Sequence, residues 1–98
     1  MVMTRCSVEF FGVPTKLTEL KVEIEVKEGA KLRDVIAALR RKVPALEGSV
    51  IVTGEDRMVD GYTFNIHGRF YTDSDDRNEN LQLQDGDRIA LLTVPIGG

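Results

Sequence analysis

LQDGDRIALLTVPIGG, residues 83–98, is the stretch whose reading decides the fold. Asp85-Gly86-Asp87 predicts a tight turn. Residues 88–94 follow as a strand that is apolar on both sides apart from Arg88 and Thr93, the pattern of a strand buried inside a sheet. The chain then runs through Pro95 and Ile96 to Gly97 and Gly98. Glycine lacks a Cβ, so two in a row pass through channels too narrow for any other residue. The expectation is a domain over 1–94 and a flexible tail over 95–98, with a free carboxylate on Gly98.

Upstream, residues 20–27 show the cleanest alternation: Leu20, Val22, Ile24 and Val26 against Lys21, Glu23, Glu25 and Lys27. The first set is expected to face a core and the second water. Residues 5–11 form an earlier strand, with Cys6, Val8 and Phe10 on one side and Ser7, Glu9 and Phe11 on the other, broken by Gly12-Val13-Pro14. One wet face suits an antiparallel pair, so these two strands read as a hairpin. The period then changes. Leu32, Val35, Ile36, Leu39 and Val43 fall at helical spacing, which predicts an amphipathic helix over 31–43. Arg40, Arg41 and Lys42 meet the negative end of its dipole, and Pro44 stops it.

Residues 45–61 carry no clear period; Val50-Ile51-Val52 is read as a short strand. Tyr62, Phe64 and Ile66 resume the alternation, His67-Gly68 turns, and Phe70-Tyr71 returns as a short strand. Residues 73–80 form a polar loop. With one helix available for a crossover, the simplest packing is a mixed sheet with that helix lying across it: an α+β chain of the β-grasp (ubiquitin-like) class.

Ninety-eight residues make one domain, and a hydrophobic content of 42% is enough for a small core. The N-terminal residues alternate and do not read as a secretory signal, and no apolar run is long enough to span a membrane. Cys6 is the only cysteine, which excludes a disulfide framework and a Cys-x-x-Cys pair and fits a cytoplasmic protein. A net charge of −3 argues against nucleic acid as a partner. One histidine supports no catalytic triad, and no phosphate-binding glycine loop is present. His67 reads as a hydrogen-bonded residue at a strand end and Cys6 as a small core residue. Asp73, Asp75, Asp76 and Glu79 fail the spacing of a calcium loop, so no metal is expected.

Three segments resemble the ubiquitin-like sulfur carriers, which include the small subunit of molybdopterin synthase and the thiamine-pathway carrier. SVEFFGV (7–13) is similar to their first strand and EGAKLRDVIAAL (28–39) to their entry into the helix. LQDGDRIALLTVPIGG is similar to their closing turn, strand and diglycine. One departure leaves the pathway open: Thr93-Val94 stands where molybdopterin-type tails have paired prolines. His67-Gly68 also stands where relatives often have Asn-Gly, and residues 45–61 are longer than the shortest members need.

The resemblance implies a carrier, not an enzyme. A partner activating enzyme would consume ATP to adenylate Gly98, a sulfur donor would convert it to a thiocarboxylate, and an acceptor enzyme such as a molybdopterin synthase large subunit would use the sulfur. The carrier itself would bind no cofactor. Phe11 and Leu92 match positions of the apolar patch that docks on such enzymes, with Pro95 and Ile96 completing the contact and Gly97 joining Gly98 at the reacting end; the alternative is that Phe11 and Leu92 are both core. The product is molybdopterin-type by preference, with thiazole, cysteine or a thiolated tRNA base as others. Two further readings stay open: a modifier conjugated through Gly98 to lysine, and a binding module with an inert tail.

Overall fold

In the computed structural model, which describes residues 3–12, 20–71 and 80–93, the two alternating segments pair as expected. Strand β1 (Met3–Phe11) runs antiparallel to β2 (Lys21–Lys27), with Cys6 opposite Ile24 and Val8 opposite Val22. Cys6, Val8, Phe10, Ile24 and Val26 are buried, and Val22 packs half-buried against them. Leu20 departs from its expected core position: it is 69% exposed. Its carbonyl still accepts the Phe10 N–H at 2.9 Å, but it precedes β2, where pairing no longer fixes the side to which the residue points.

Helix α1 (Leu32–Lys42) buries Leu32, Val35, Ile36, Ala38 and Leu39. The periodicity suggested 31–43; Lys31 and Val43 instead cap the two ends. Lysine has no side-chain acceptor for an N-terminal donor. Asp34 reaches back instead, accepting the Lys31 N–H at 2.9 Å, which satisfies one of the four donors that a helix start leaves orphaned. Arg40, Arg41 and Lys42 occupy the last turn, and Arg40 also reaches Asp56 at 2.9 Å. Pro44, which cannot continue the helix, opens a 3-10 turn over Pro44–Leu46.

Val50-Ile51-Val52 is not a strand. Ile51 makes only isolated bridges, to Glu47 and Met58, and the segment 50–59 folds back on itself through Val52 N–H to Arg57 O and Val59 N–H to Val50 O, each 2.8 Å. It is apolar because Leu46, Val50, Ile51 and Met58 plug the core as single residues.

Strand β3 (Tyr62–Ile66) then turns into β4 (Arg69–Tyr71) through His67 and Gly68. Both turn residues have positive φ, 55° and 80°, as a two-residue type I′ hairpin requires. Strand β5 (Arg88–Thr93) completes a sheet of order β2-β1-β5-β3-β4. It runs parallel to β1 and antiparallel to β3. β5 is therefore the middle strand, as its composition suggested. It is not buried on both sides, however. Ile89 and Leu91 lie in the core, whereas Ala90 and Leu92 are half-buried on the other face, because one helix covers one face of a sheet. Mixed sheet and single helix together form the expected β-grasp architecture.

Candidate functional site

The uncovered face of the sheet is graded along the strands. At the start of β1 and β5 it is polar. Arg5 pairs with Glu25 at 3.1 Å, Ser7 lies between Glu23 and Arg88, and a depression of about 570 Å³ opens among these residues and Asp85. At the opposite end it becomes apolar. Phe11 and Leu92 are direct neighbours in the β1–β5 register, and Ala90 lies one row before them. Phe11 is 48% exposed and Leu92 half-buried, so neither is a core residue. Thr63 stands on the far side of Leu92 and is buried, its hydroxyl donating to the Tyr71 carbonyl at 2.8 Å. An exposed aromatic beside a leucine at a sheet end has the composition of an interface anchor.

Phe70 extends this apolar end and was not singled out in the sequence. It pairs with Asn65 on the open face and is 60% exposed, while Tyr71 turns into the core. The signal was present in the dipeptide itself: adjacent residues of a strand point to opposite faces, so one of two neighbouring aromatics had to face out.

The acid-glycine-acid turn acts as a clasp. The Gln84 carbonyl accepts the Asp87 N–H at 3.0 Å across Gly86, whose φ is 87°. Asp85 accepts the Arg5 N–H at 2.9 Å, and Gly86 N–H donates to Arg5 O at 2.9 Å. The Asp87 carboxylate accepts the Gln84 N–H at 2.8 Å and meets His67 Nε2 at 2.8 Å. Burial alone would raise the Asp87 carboxyl; the Gln84 N–H, together with the hydrogen bond and charge of His67, outweighs it and holds the group below its ordinary 3.8. The two carboxylates thus lock the start of β5 to β1 and to the β3–β4 turn. His67 is the hydrogen-bonded strand-end residue that the sequence suggested.

Cys6 lies in the core, and burial, with Asp87 and Asp85 adding to it, pushes its thiol up to about 11. It is not a nucleophile at neutral pH. Among the described residues no cluster of three metal-ligating side chains occurs, and no helix is long and apolar enough to cross a membrane. Of the expected site residues, Phe11 and Leu92 are brought together. Pro95, Ile96, Gly97 and Gly98 lie outside the described residues, as do Asp73, Asp75, Asp76 and Glu79. The last described residue, Thr93, stands at the apolar end, one position beyond Leu92.

Known proteins resemble the chain at two levels. The profile of the ThiS family matches residues 8–98. Among solved structures, small archaeal modifier protein 1 of H. volcanii superposes with a TM-score of 0.73 at 20% identity, covering 94% of this chain and 99% of its own. A Pyrococcus furiosus protein designated molybdopterin converting factor subunit 1 gives 0.66 at 24% identity, covering 94% and 99%. A Caldiarchaeum subterraneum ubiquitin gives 0.54 at 21% identity, covering 99% and 100%. At these identities the structural likeness bears on the fold alone. Among curated proteins nothing matches the sequence.

Proposed function

The chain belongs to the ThiS family of ubiquitin-like sulfur carriers, and from that premise we propose that its reactive group is the carboxylate of Gly98, converted to a thiocarboxylate for cofactor biosynthesis. The observation that supports this best is that the family match runs through Gly98, on a fold whose apolar Phe11–Leu92 corner borders the end of the last strand. Members of this family are small carriers and not themselves catalysts.

The chemistry needs little from the carrier. A carboxylate is a poor electrophile. Attack of a Gly98 oxygen on the α-phosphorus of ATP, with loss of pyrophosphate, gives an acyl-adenylate whose AMP is a good leaving group. Hydrosulfide then adds to the carbonyl carbon and expels AMP, leaving the thiocarboxylate. A persulfide donor serves equally if a second donor thiol cleaves the S–S bond and is itself left in a disulfide. The activating enzyme supplies ATP binding and the site. This chain supplies a carboxylate on a narrow diglycine and an anchor, Phe11 with Leu92, to hold it there. The exposed Phe70 widens that anchor toward the sheet edge.

A second reading uses the same adenylate: attack by a lysine amine gives an isopeptide-linked modifier. It is favoured by the likeness to small archaeal modifier protein 1, at TM-scores of 0.73 and 0.69 against two H. volcanii structures. The products separate the two. Intact mass is measured after incubation with an activating enzyme, ATP and sulfide, beside a reaction without ATP. Replacement of one oxygen by sulfur, mapped to Gly98, is expected. An unchanged mass with a panel of activating enzymes refutes the carrier reading. Lysine-linked adducts in its place would support the modifier.

A further inference from the structure

On the reading of Gly98 as the reactive residue, we infer that Gly12 is a positioning residue for the tail, acting through Thr93. Gly12 follows β1 directly and has a φ of 83°. The register that sets Phe11 beside Leu92 brings Gly12 beside Thr93, the last residue of β5. The approach is so close that a Cβ on Gly12 would overlap Thr93 Oγ1 and stand 3.1 Å from its Cγ2 and 3.2 Å from its Cβ.

Turning χ1 so that the hydrogen on Thr93 Cβ faces Gly12 moves Oγ1 out of the way, but Cβ itself, 3.2 Å from the new methyl, keeps its place in every rotamer. Relief of that contact has to come from the backbone, by a few tenths of an ångström. On its other side Thr93 is paired to Tyr62 of β3. It is therefore seated between two strands, and the missing side chain at position 12 defines the seat. Four residues separate Thr93 from Gly98. The direction in which the chain leaves Thr93 is the first term in where the carboxylate arrives. Near-attack geometry is unforgiving: a misplacement of about 1 Å can cost ~10²-fold in rate. Neither Gly12 nor Thr93 would touch ATP; their part is to aim the group that does.

The test compares the wild-type chain with Gly12→Ala, Thr93→Gly and the double variant. Each is assayed by ATP–pyrophosphate exchange with the activating enzyme of the producing organism, and by residual dipolar couplings of the backbone amides from Leu92 to Gly98. Gly12→Ala is expected to lower kcat by roughly 10- to 100-fold with KM for the carrier little changed, and to alter the couplings from Thr93 onward. Thr93→Gly in that background removes the crowding Cβ and should restore both, although the strain of a positive φ, and any loss of stability in urea, remains.

Gly12→D-Ala, made by chemical synthesis, accepts positive φ and turns its methyl to the other side of Cα. It should match wild type, which keeps the inference testable if Gly12→Ala fails to fold. A folded Gly12→Ala chain with wild-type kcat and couplings overturns the inference, as does a defect that Thr93→Gly leaves unrepaired or that Gly12→D-Ala shares. Absence of exchange with the wild-type chain counts against the carrier reading instead, and the couplings alone then decide the role of Gly12.

Discussion

Replacing Asp87 by alanine removes the hinge of the clasp that joins β1, β5 and the β3–β4 turn. The carboxylate accepts the Gln84 N–H and meets His67 Nε2, both at 2.8 Å. A hydrogen bond to a charged group is worth about 1.5–3 kcal/mol. The His67 contact is half-exposed and belongs at the low end for surface pairs, about 0–1 kcal/mol. Together these put the loss at about 2 kcal/mol near pH 7. The folded carboxyl sits below its ordinary 3.8, so its contribution is fully present above that value and fades as pH falls through it toward the folded pKa. Urea unfolding of wild type and Asp87→Ala at pH 7 and pH 2 reads both quantities. With an m-value of ~1 kcal/mol/M, the midpoint should drop by about 2 M at pH 7 and the gap between the two curves should narrow at pH 2. Asp87→Asn keeps an acceptor for the Gln84 N–H and should fall between them, and His67→Gln should cost about 1 kcal/mol or less. Equal destabilisation at pH 7 and pH 2 would refute the electrostatic account of the clasp.

Phe64→Ala, which empties a fully buried position at the centre of the sheet, should cost about 3–5 kcal/mol by urea unfolding and leave little folded protein at 37 °C. The Cys6 thiol, held near 11, should resist maleimide at pH 7.5 in the folded chain and react at once in denaturant; comparable rates in both states would contradict its burial. Phe11→Ser should change the unfolding free energy by about 0.5 kcal/mol or less, and Leu92→Ser, at a half-buried position, by about 1 kcal/mol. They should weaken binding to an activating enzyme by about 10-fold or more, measured by titration calorimetry.

The elements with one wet and one dry face were legible, because alternation in β1 and β2 and the helical spacing in α1 report directly which side meets the core. Reading failed where burial is not periodic. Leu46, Val50, Ile51 and Met58 are each buried, yet they are presented by turns, with Gly48 and Gly54 at positive φ, and no period connects them. Leu20 continues an alternation one residue past the strand that enforces it. The turn at Asp85-Gly86-Asp87 was visible in its residues, but the work of its carboxylates was not: the Asp85 partner, Arg5, lies 80 residues away in the chain. At the candidate site, the exposed alternation of Phe11 was readable from its strand alone. Leu92 needed the structure, since an apolar run on the middle strand does not reveal that only one face is covered. Gly12 was legible only as a break in a strand; the contact that gives it meaning is with Thr93, at the other end of the sequence.

The most direct test of the central claim is to isolate the chain from the cells that make it and determine by fragmentation mass spectrometry what the Gly98 carboxyl carries. The account predicts a fraction bearing a thiocarboxylate, lost on treatment with an alkylating agent and absent when Gly97 and Gly98 are deleted. Gly98 found only as a free carboxylate, or only in isopeptide linkage to lysine, would contradict it.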